Sequence, residues 1–152
     1  MPSDQTRPDA CSTSIETYRA TVAPADCDHL GHMNVQHYFR AVSDGMCSFM
    51  VQVGLGPTEI RARQMSFAVV HAETDFRAEL IAGDVIALRS GVEAIGHKSA
   101  EFRHELINVE SGQTVMSTRF KCVLLDLEQR VAVEVPPDVR DRMTALVSRP
   151  GT

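Results

Sequence analysis

The nonapeptide DCDHLGHMN, residues 26–34, gathers two acids, two histidines, a glycine and an asparagine. It runs straight into VQHYFRAVSDGMCSFMVQVGL, which has the pattern of a long helix. So many proton-active groups at a helix entrance mean either a capped polar surface loop or a reacting centre. Metal binding is one chemistry the loop offers, because Asp28, His29, His32 and His37 are all usable ligands. The spacing is not H-E-x-x-H, however, and adjacent Asp28 and His29 face different ways in most loop geometries, so no metal is expected. A nucleophilic Cys27 would need an activating base and a lowered thiol pKa. A small buried thiol is the simpler reading of that residue.

The elements that must position the loop are legible on both sides of it. IETYRATVA (15–23) has strand propensity and stops at Pro24. In the helix, Val35, Tyr38, Phe39, Val42, Met46, Phe49, Met50 and Val53 recur at threes and fours, which predicts one buried face. Asn34 stands at the N-cap, and Gly54 with Gly56-Pro57 ends the helix. Gly45 is either a tolerated interior weakness or a point of close approach. PTEIRAR adds a short helical turn. Strands are predicted over 64–80, 85–95, 99–108 and 114–127, with turns at Gly83-Asp84, at 96–98 and at 110–113, giving a meander. PPDVRDRMTALV (136–147) reads as a short helix with proline at its start. A strand, a long helix and then about four antiparallel strands make an α+β sandwich.

Composition bounds the function. The 152 residues, 43% hydrophobic and 23% charged, suit one domain over 15–147 with a real core. The polar, proline-containing residues 1–14 read as a flexible arm, and 148–152 as a frayed tail. A net charge of −5 argues against nucleic acid as the main partner. No stretch approaches the ~18 apolar residues of a membrane span, and the N-terminus lacks the apolar core of a secretory signal. Cys11, Cys27, Cys47 and Cys122 are scattered without a C-x-x-C pair. Reduced thiols and a cytoplasmic location are expected.

Taken together, DCDHLGHMNVQHYFRAVSDG, AETDFRAELIAGDVIAL, AIGHKSAEF and ESGQTVMSTRFKCVLLD resemble the hotdog-fold acyl-CoA thioesterases, in particular the 4-hydroxybenzoyl-CoA thioesterase branch. The resemblance runs from about residue 16 to 145. It implies one long central helix wrapped by a curved antiparallel sheet of about five strands. It also implies active sites formed between two subunits of a homodimer, or of a homotetramer built as a dimer of dimers.

By that resemblance Asp28 is the catalytic carboxylate, acting as nucleophile or as general base for water. A thioester suits such a group, since the leaving thiol has a pKa near that of cysteine, about 8.5, and departs without strong acid help. The Val35 backbone amide takes the oxyanion-donor position in the first helical turn, where N–H groups lack intrahelical partners and the dipole favours an anion. Gly31 would let the loop turn sharply and approach the thioester. His32 could orient Asp28, donate to the carbonyl or carry a proton. Asn34 is a catalytic candidate and also a plain helix cap. Plant acyl-carrier thioesterases look similar here, but Leu30 replaces their intervening asparagine, and Val35 replaces a second asparagine common in the branch.

The same resemblance places His97, Lys98 and Ser99 where the nucleotide phosphates of coenzyme A are held. The family often has arginine at the position of His97, so Arg103 or Arg61 could share the task. Met33, Met46, Met65, Phe67, Val69 and His71 are candidates for the acyl end, and Asp44 for a water or neighbour contact. The expected activity is hydrolysis of an acyl-CoA to free acid and coenzyme A, with no cofactor, coenzyme A being part of the substrate. A hotdog-fold hydratase/dehydratase and a noncatalytic acyl-CoA-binding protein are the alternatives. A hydratase would present a His–acid pair around a 3-hydroxyacyl chain, and a regulator would carry a DNA-binding segment.

Overall fold

A computed structural model describes residues 13–147. Cys11, most of the expected arm and the tail 148–152 lie outside the described residues. Thr13 and Ser14, assigned to the arm from sequence, bond back to the body: Thr13 donates to the Val147 carbonyl (2.9 Å) and Ser14 accepts from Arg89. Strand β1 (Ile15–Thr21) ends in a 3-10 turn at Pro24–Asp26, followed by the polar loop and helix α1 (Val35–Gln52). A second helix α2 (Pro57–Arg63) precedes strands β2 (Met65–Phe76), β3 (Val85–Ile95), β4 (Ser99–Asn108) and β5 (Thr114–Asp126), and helix α3 (Pro137–Thr144) closes the chain. The five strands form one antiparallel sheet that α1 packs against, the hotdog architecture. No helix among the described residues is long and apolar enough to cross a membrane.

The strand order is β1-β3-β4-β5-β2, not the sequential meander that the turns implied. Gly83-Asp84 does not fold β3 back on β2. Instead the Gly83 amide donates to the Val22 carbonyl and the Val22 amide to the Asp84 carbonyl, so the turn closes on β1. The strand expected over 64–80 stops at Phe76, because the amides of Arg77 and Ala78 both turn to the Val115 carbonyl. Residues 77–84 then cross to the other edge with Leu80 fully buried. β1 and β2 are therefore the two sheet edges.

The core divides into two apolar clusters. One surrounds the C-terminal half of α1 with Phe49, Met50, Phe102 and Leu124, and the other its N-terminal half with Tyr38, Val42, Leu88 and Leu106. Between them a polar row crosses the inner face of the sheet. Ser90 pairs across to His104 and His104 to Thr118, while Thr17 on β1 bonds Ser90 (2.8 Å) and Thr74 on β2 bonds Thr118 (2.7 Å). Gly45 of α1 sits directly over this row. A Cβ there would collide with the Leu88 side chain and lie 2.9 Å from Thr17 Oγ1, so the glycine marks a close approach between helix and sheet. Overpacking of this kind costs about 1–3 kcal/mol, more than the roughly 1 kcal/mol of helix propensity that alanine would return. Gly45→Ala should accordingly lower the denaturation midpoint, and an unchanged or raised midpoint would contradict this packing.

His104 is fully buried between the Phe49 and Phe120 rings. Thr17 donates to the Leu88 carbonyl, so Ser90 donates to Thr17 and His104 Nδ1–H donates to Ser90 (2.7 Å). Nε2 is then a bare lone pair with no partner among the described residues. A proton there would be a buried charge, and burial accordingly lowers the imidazole pKa from 6.5 to about 4. Because the folded value is the lower one, the unfolded chain takes the proton first. Stability should fall as pH drops from about 6.5 to about 4, by on the order of 3 kcal/mol. Denaturant midpoints across that range test this, and a wild-type loss no larger than that of His104→Asn would refute it. Burial also raises the Cys122 thiol to about 12, which leaves it inert.

Candidate active site

The loop between β1 and α1 is built by short-range bonds. Cys27 and Met33 form an isolated antiparallel bridge, and the Asp28 amide donates to the His32 carbonyl (3.0 Å). The Gly31 amide returns to the Asp28 carbonyl (2.9 Å), and Gly31 itself has φ +83°, a conformation that glycine adopts without strain. Nothing of this chain lies where a Gly31 side chain would project. Met33, buried, anchors the loop by donating its amide to the Leu80 carbonyl (2.7 Å).

That frame holds the Asp28 carboxylate from both oxygens. Oδ1 accepts the Leu30 amide (2.9 Å) and Oδ2 accepts the Asn34 side-chain amide (3.2 Å). The Leu30 bond, against partial desolvation and with help from Asn34, His29 and His32, holds the carboxyl below its ordinary value of 3.8. It is therefore an anion at neutral pH. Asn34 does both jobs the sequence left open, since its Oδ1 also caps α1 by accepting the Gln36 amide (3.1 Å). The His37 amide turns to the Asn34 carbonyl, and the Val35 amide has no acceptor among the described residues. An anionic carboxylate and an open first-turn N–H thus stand at one helix entrance, suited to attack on a carbonyl whose oxygen gains charge.

The histidines point elsewhere. His32 Nε2 meets Glu79 (3.0 Å) on the 77–84 crossing and does not bond Asp28, and His37 Nδ1 faces Asp26 (3.5 Å). Glu79 carried no sequence signal, because it lay inside what read as a continuous strand. Among the described residues no three His, Cys, Asp or Glu side chains are grouped to hold a metal ion. Asp44 is exposed beside Arg40 (4.0 Å).

An apolar groove of about 300 Å³ opens beside the C-terminal half of α1. Met50 and Leu55 form its buried floor, with Met46, Phe67, Val69 and Phe120 along its walls and Ser43 and Cys47 at its exposed lip. Met46, Phe67 and Val69 were acyl-end candidates. The others are elsewhere: Met33 is in the core, Met65 packs against the other cluster, and His71 pairs with Glu73 (3.3 Å).

His97 and Lys98, both exposed, lie in the β3–β4 turn, and Ser99 opens β4. The turn follows the last residue of β3, whereas the Asp28 loop packs beside the segment that leads into its first. The length of β3 separates them, about 30 Å of extended chain. One copy of the chain does not bring the carboxylate and this turn together. Arg103 cannot assist there, because it is tied to Glu93 (3.2 Å) and Glu105 (2.6 Å) on the outer face of the sheet.

The family model of the thioesterase-like superfamily matches residues 22–143, which takes in the loop, α1 and the whole sheet apart from β1. The chain belongs to the thioesterase-like superfamily. Solved structures share its fold at low identity. A Staphylococcus aureus protein solved in complex with CoA aligns at TM-score 0.82 and 18% identity, over 91% of this chain and 89% of that one. A 1,4-dihydroxy-2-naphthoyl-CoA thioesterase from Synechocystis aligns at TM-score 0.73 and 20% identity, over 84% and 93%. Within this thioesterase-like fold, the residues quoted for the resemblance sit on one continuous structure. Asp28, Gly31, Asn34 and the Val35 amide are assembled at one point, while the turn 97–99 lies at the far end of β3.

Proposed function

We propose that this chain hydrolyses acyl-CoA thioesters to the free acid and coenzyme A, at a site shared between two copies. The observation that carries the reading is the Asp28 carboxylate, ionised and fixed by Leu30 and Asn34, beside the open Val35 amide. As nucleophile, an Asp28 oxygen adds to the thioester carbon and the C–S bond breaks. Coenzyme A leaves as a thiolate that takes a proton from water, and water then cleaves the mixed anhydride. As general base, Asp28 removes a proton from the attacking water, and that proton ends on the departing sulfur. In both routes the carbonyl oxygen gains charge and would meet the Val35 N–H. No cofactor enters either route.

Side-chain contacts between α1 and edge strand β2 support the shared site. Phe39, in the N-terminal half of α1, meets Phe76 at the end of β2, while the groove joins Met46 and Met50 to Phe67 and Val69 at its start. A two-fold that pairs β2 edges antiparallel reverses this order in the second copy. The carboxylate of one chain then faces the partner's apolar groove, where the acyl group would lie. A panel of acyl-CoAs assayed for thiol release tests the reading. Hydrolysis of at least one member is expected, with apolar acyl groups preferred. No release from any member at substrate concentrations that bind would reject it.

A further inference from the structure

Seven of the thirteen lysines and arginines among the described residues stand within 4.0 Å of a carboxylate, as Arg63 does beside Asp138 (2.6 Å) and Arg119 beside Glu93 (2.8 Å). The end of the sheet at the β3–β4 turn differs. Neither Lys98 nor Arg140 has a carboxylate in ion-pair contact among the described residues, and both come to this turn. His97 is there too, 3.8 Å from the exposed Glu134.

The backbone of the turn is held from inside the fold. Arg140 of α3 donates from Nη2 to the carbonyls of Gly96 (2.8 Å) and His97 (3.4 Å). The Val135 amide also donates to the His97 carbonyl (3.0 Å), and the Leu124 amide to the Lys98 carbonyl (2.9 Å). With these carbonyls claimed, the amides of His97 and Lys98 have no acceptor among the described residues. Consecutive open N–H groups beside two permanent cations are a receptor for phosphate oxygens.

We infer that Arg140 is a positioning residue for this turn, holding its backbone and adding a second permanent positive charge for the phosphate groups of coenzyme A. The inference rests on acyl-CoA being the substrate. Lys98 supplies a compact point charge. The guanidinium of Arg140 spends one nitrogen on the turn and keeps its remaining donors, in fixed geometry, for an anion. Its place on the last helix, some forty residues along the chain from the turn, hid this role from the sequence.

The test compares wild type, Arg140→Ala and Arg140→Lys on an acyl-CoA and on the pantetheine thioester of the same acid, which lacks the nucleotide. Arg140→Ala should raise KM for acyl-CoA roughly tenfold, leave kcat within about twofold, and leave the pantetheine thioester unaffected. Arg140→Lys keeps the charge but not the fork, and should fall between. Equal KM values for wild type and Arg140→Ala, or equal loss on both thioesters, would overturn the inference. So would Arg140→Lys matching wild type, because charge alone would then suffice. Calorimetry with free coenzyme A separates this from the hydrolase reading. Tenfold weaker binding by Arg140→Ala supports the inference even where no thioester is cleaved, and unchanged binding refutes it even where hydrolysis is fast.

Discussion

Asp28→Asn is expected to fold as the wild type does, bind coenzyme A unchanged and lose roughly a thousandfold or more in kcat. The new side chain keeps a carbonyl oxygen for either the Leu30 amide or Asn34, so the loop gives up one of two bonds. That costs about 1 kcal/mol. It loses the anion, and with it both the nucleophilic and the basic route. KM should move little, since Asp28 has no part in holding the nucleotide. Near-normal thiol release by the purified variant would sink the assignment.

The pH profile checks the same residue independently. The Leu30 hydrogen bond is the main cause holding the Asp28 carboxyl below 3.8 in the free protein. A depressed carboxylate stays in its active, charged form above that point and is lost only as pH falls through the lowered value. The profile of kcat/KM should therefore be flat from about pH 8 down to about pH 6, above most of the acid destabilisation from His104. An acid limb near 6.5 would instead assign the essential base to a histidine, with His32 the first to replace.

Assembly carries the second large effect, because Val70→Lys is expected to yield a folded monomer with more than tenfold less activity. β2 is an edge strand of twelve residues, and Val69, Val70 and Phe76 on it are 49%, 64% and 51% exposed. Phe39, whose ring packs on Phe76, adds exposed apolar surface beside it. A long apolar edge of this kind calls for a partner strand, whereas the outer face of the sheet carries the paired charges of Glu93, Arg103, Glu105 and Arg119. A symmetric homodimer through β2 is the expected minimum active unit, whether it stays a dimer or pairs through a second surface as a homotetramer. Val70 touches little within its own chain, so lysine there should leave the monomer fold and its melting midpoint nearly unchanged. Sedimentation at assay concentrations should show no active wild-type monomer. Full specific activity in a monomeric fraction would refute the shared site, even with Asp28 essential.

Sequence alone determined what local chemistry decides. The bounds of β3 and β4 fell at the expected residues, because their turns are marked by Gly-Asp, Gly-His-Lys and Glu-Ser-Gly. Asn34 was legible as the cap of α1, and Gly31 as a turn residue, because N-cap bonds and positive φ depend on a few adjacent residues. The Asp28 cluster was legible for the same reason, being built within nine residues.

Tertiary structure alone decided the rest. The Gly83-Asp84 turn closes on β1 and not β2, a choice made by Val22, some sixty residues earlier. Phe39 lies on the apolar stripe of α1 yet stays exposed, because its ring packs on Phe76 at the end of β2, a sheet edge. His104 looks like any strand histidine until two aromatic rings and a three-strand hydroxyl relay strip it of water. Arg140 is one of several arginines until α3 docks against the β3–β4 turn. In each case the deciding neighbour is distant in the chain, and burial or a hydrogen bond across that distance exists only once the sheet has closed around the helix.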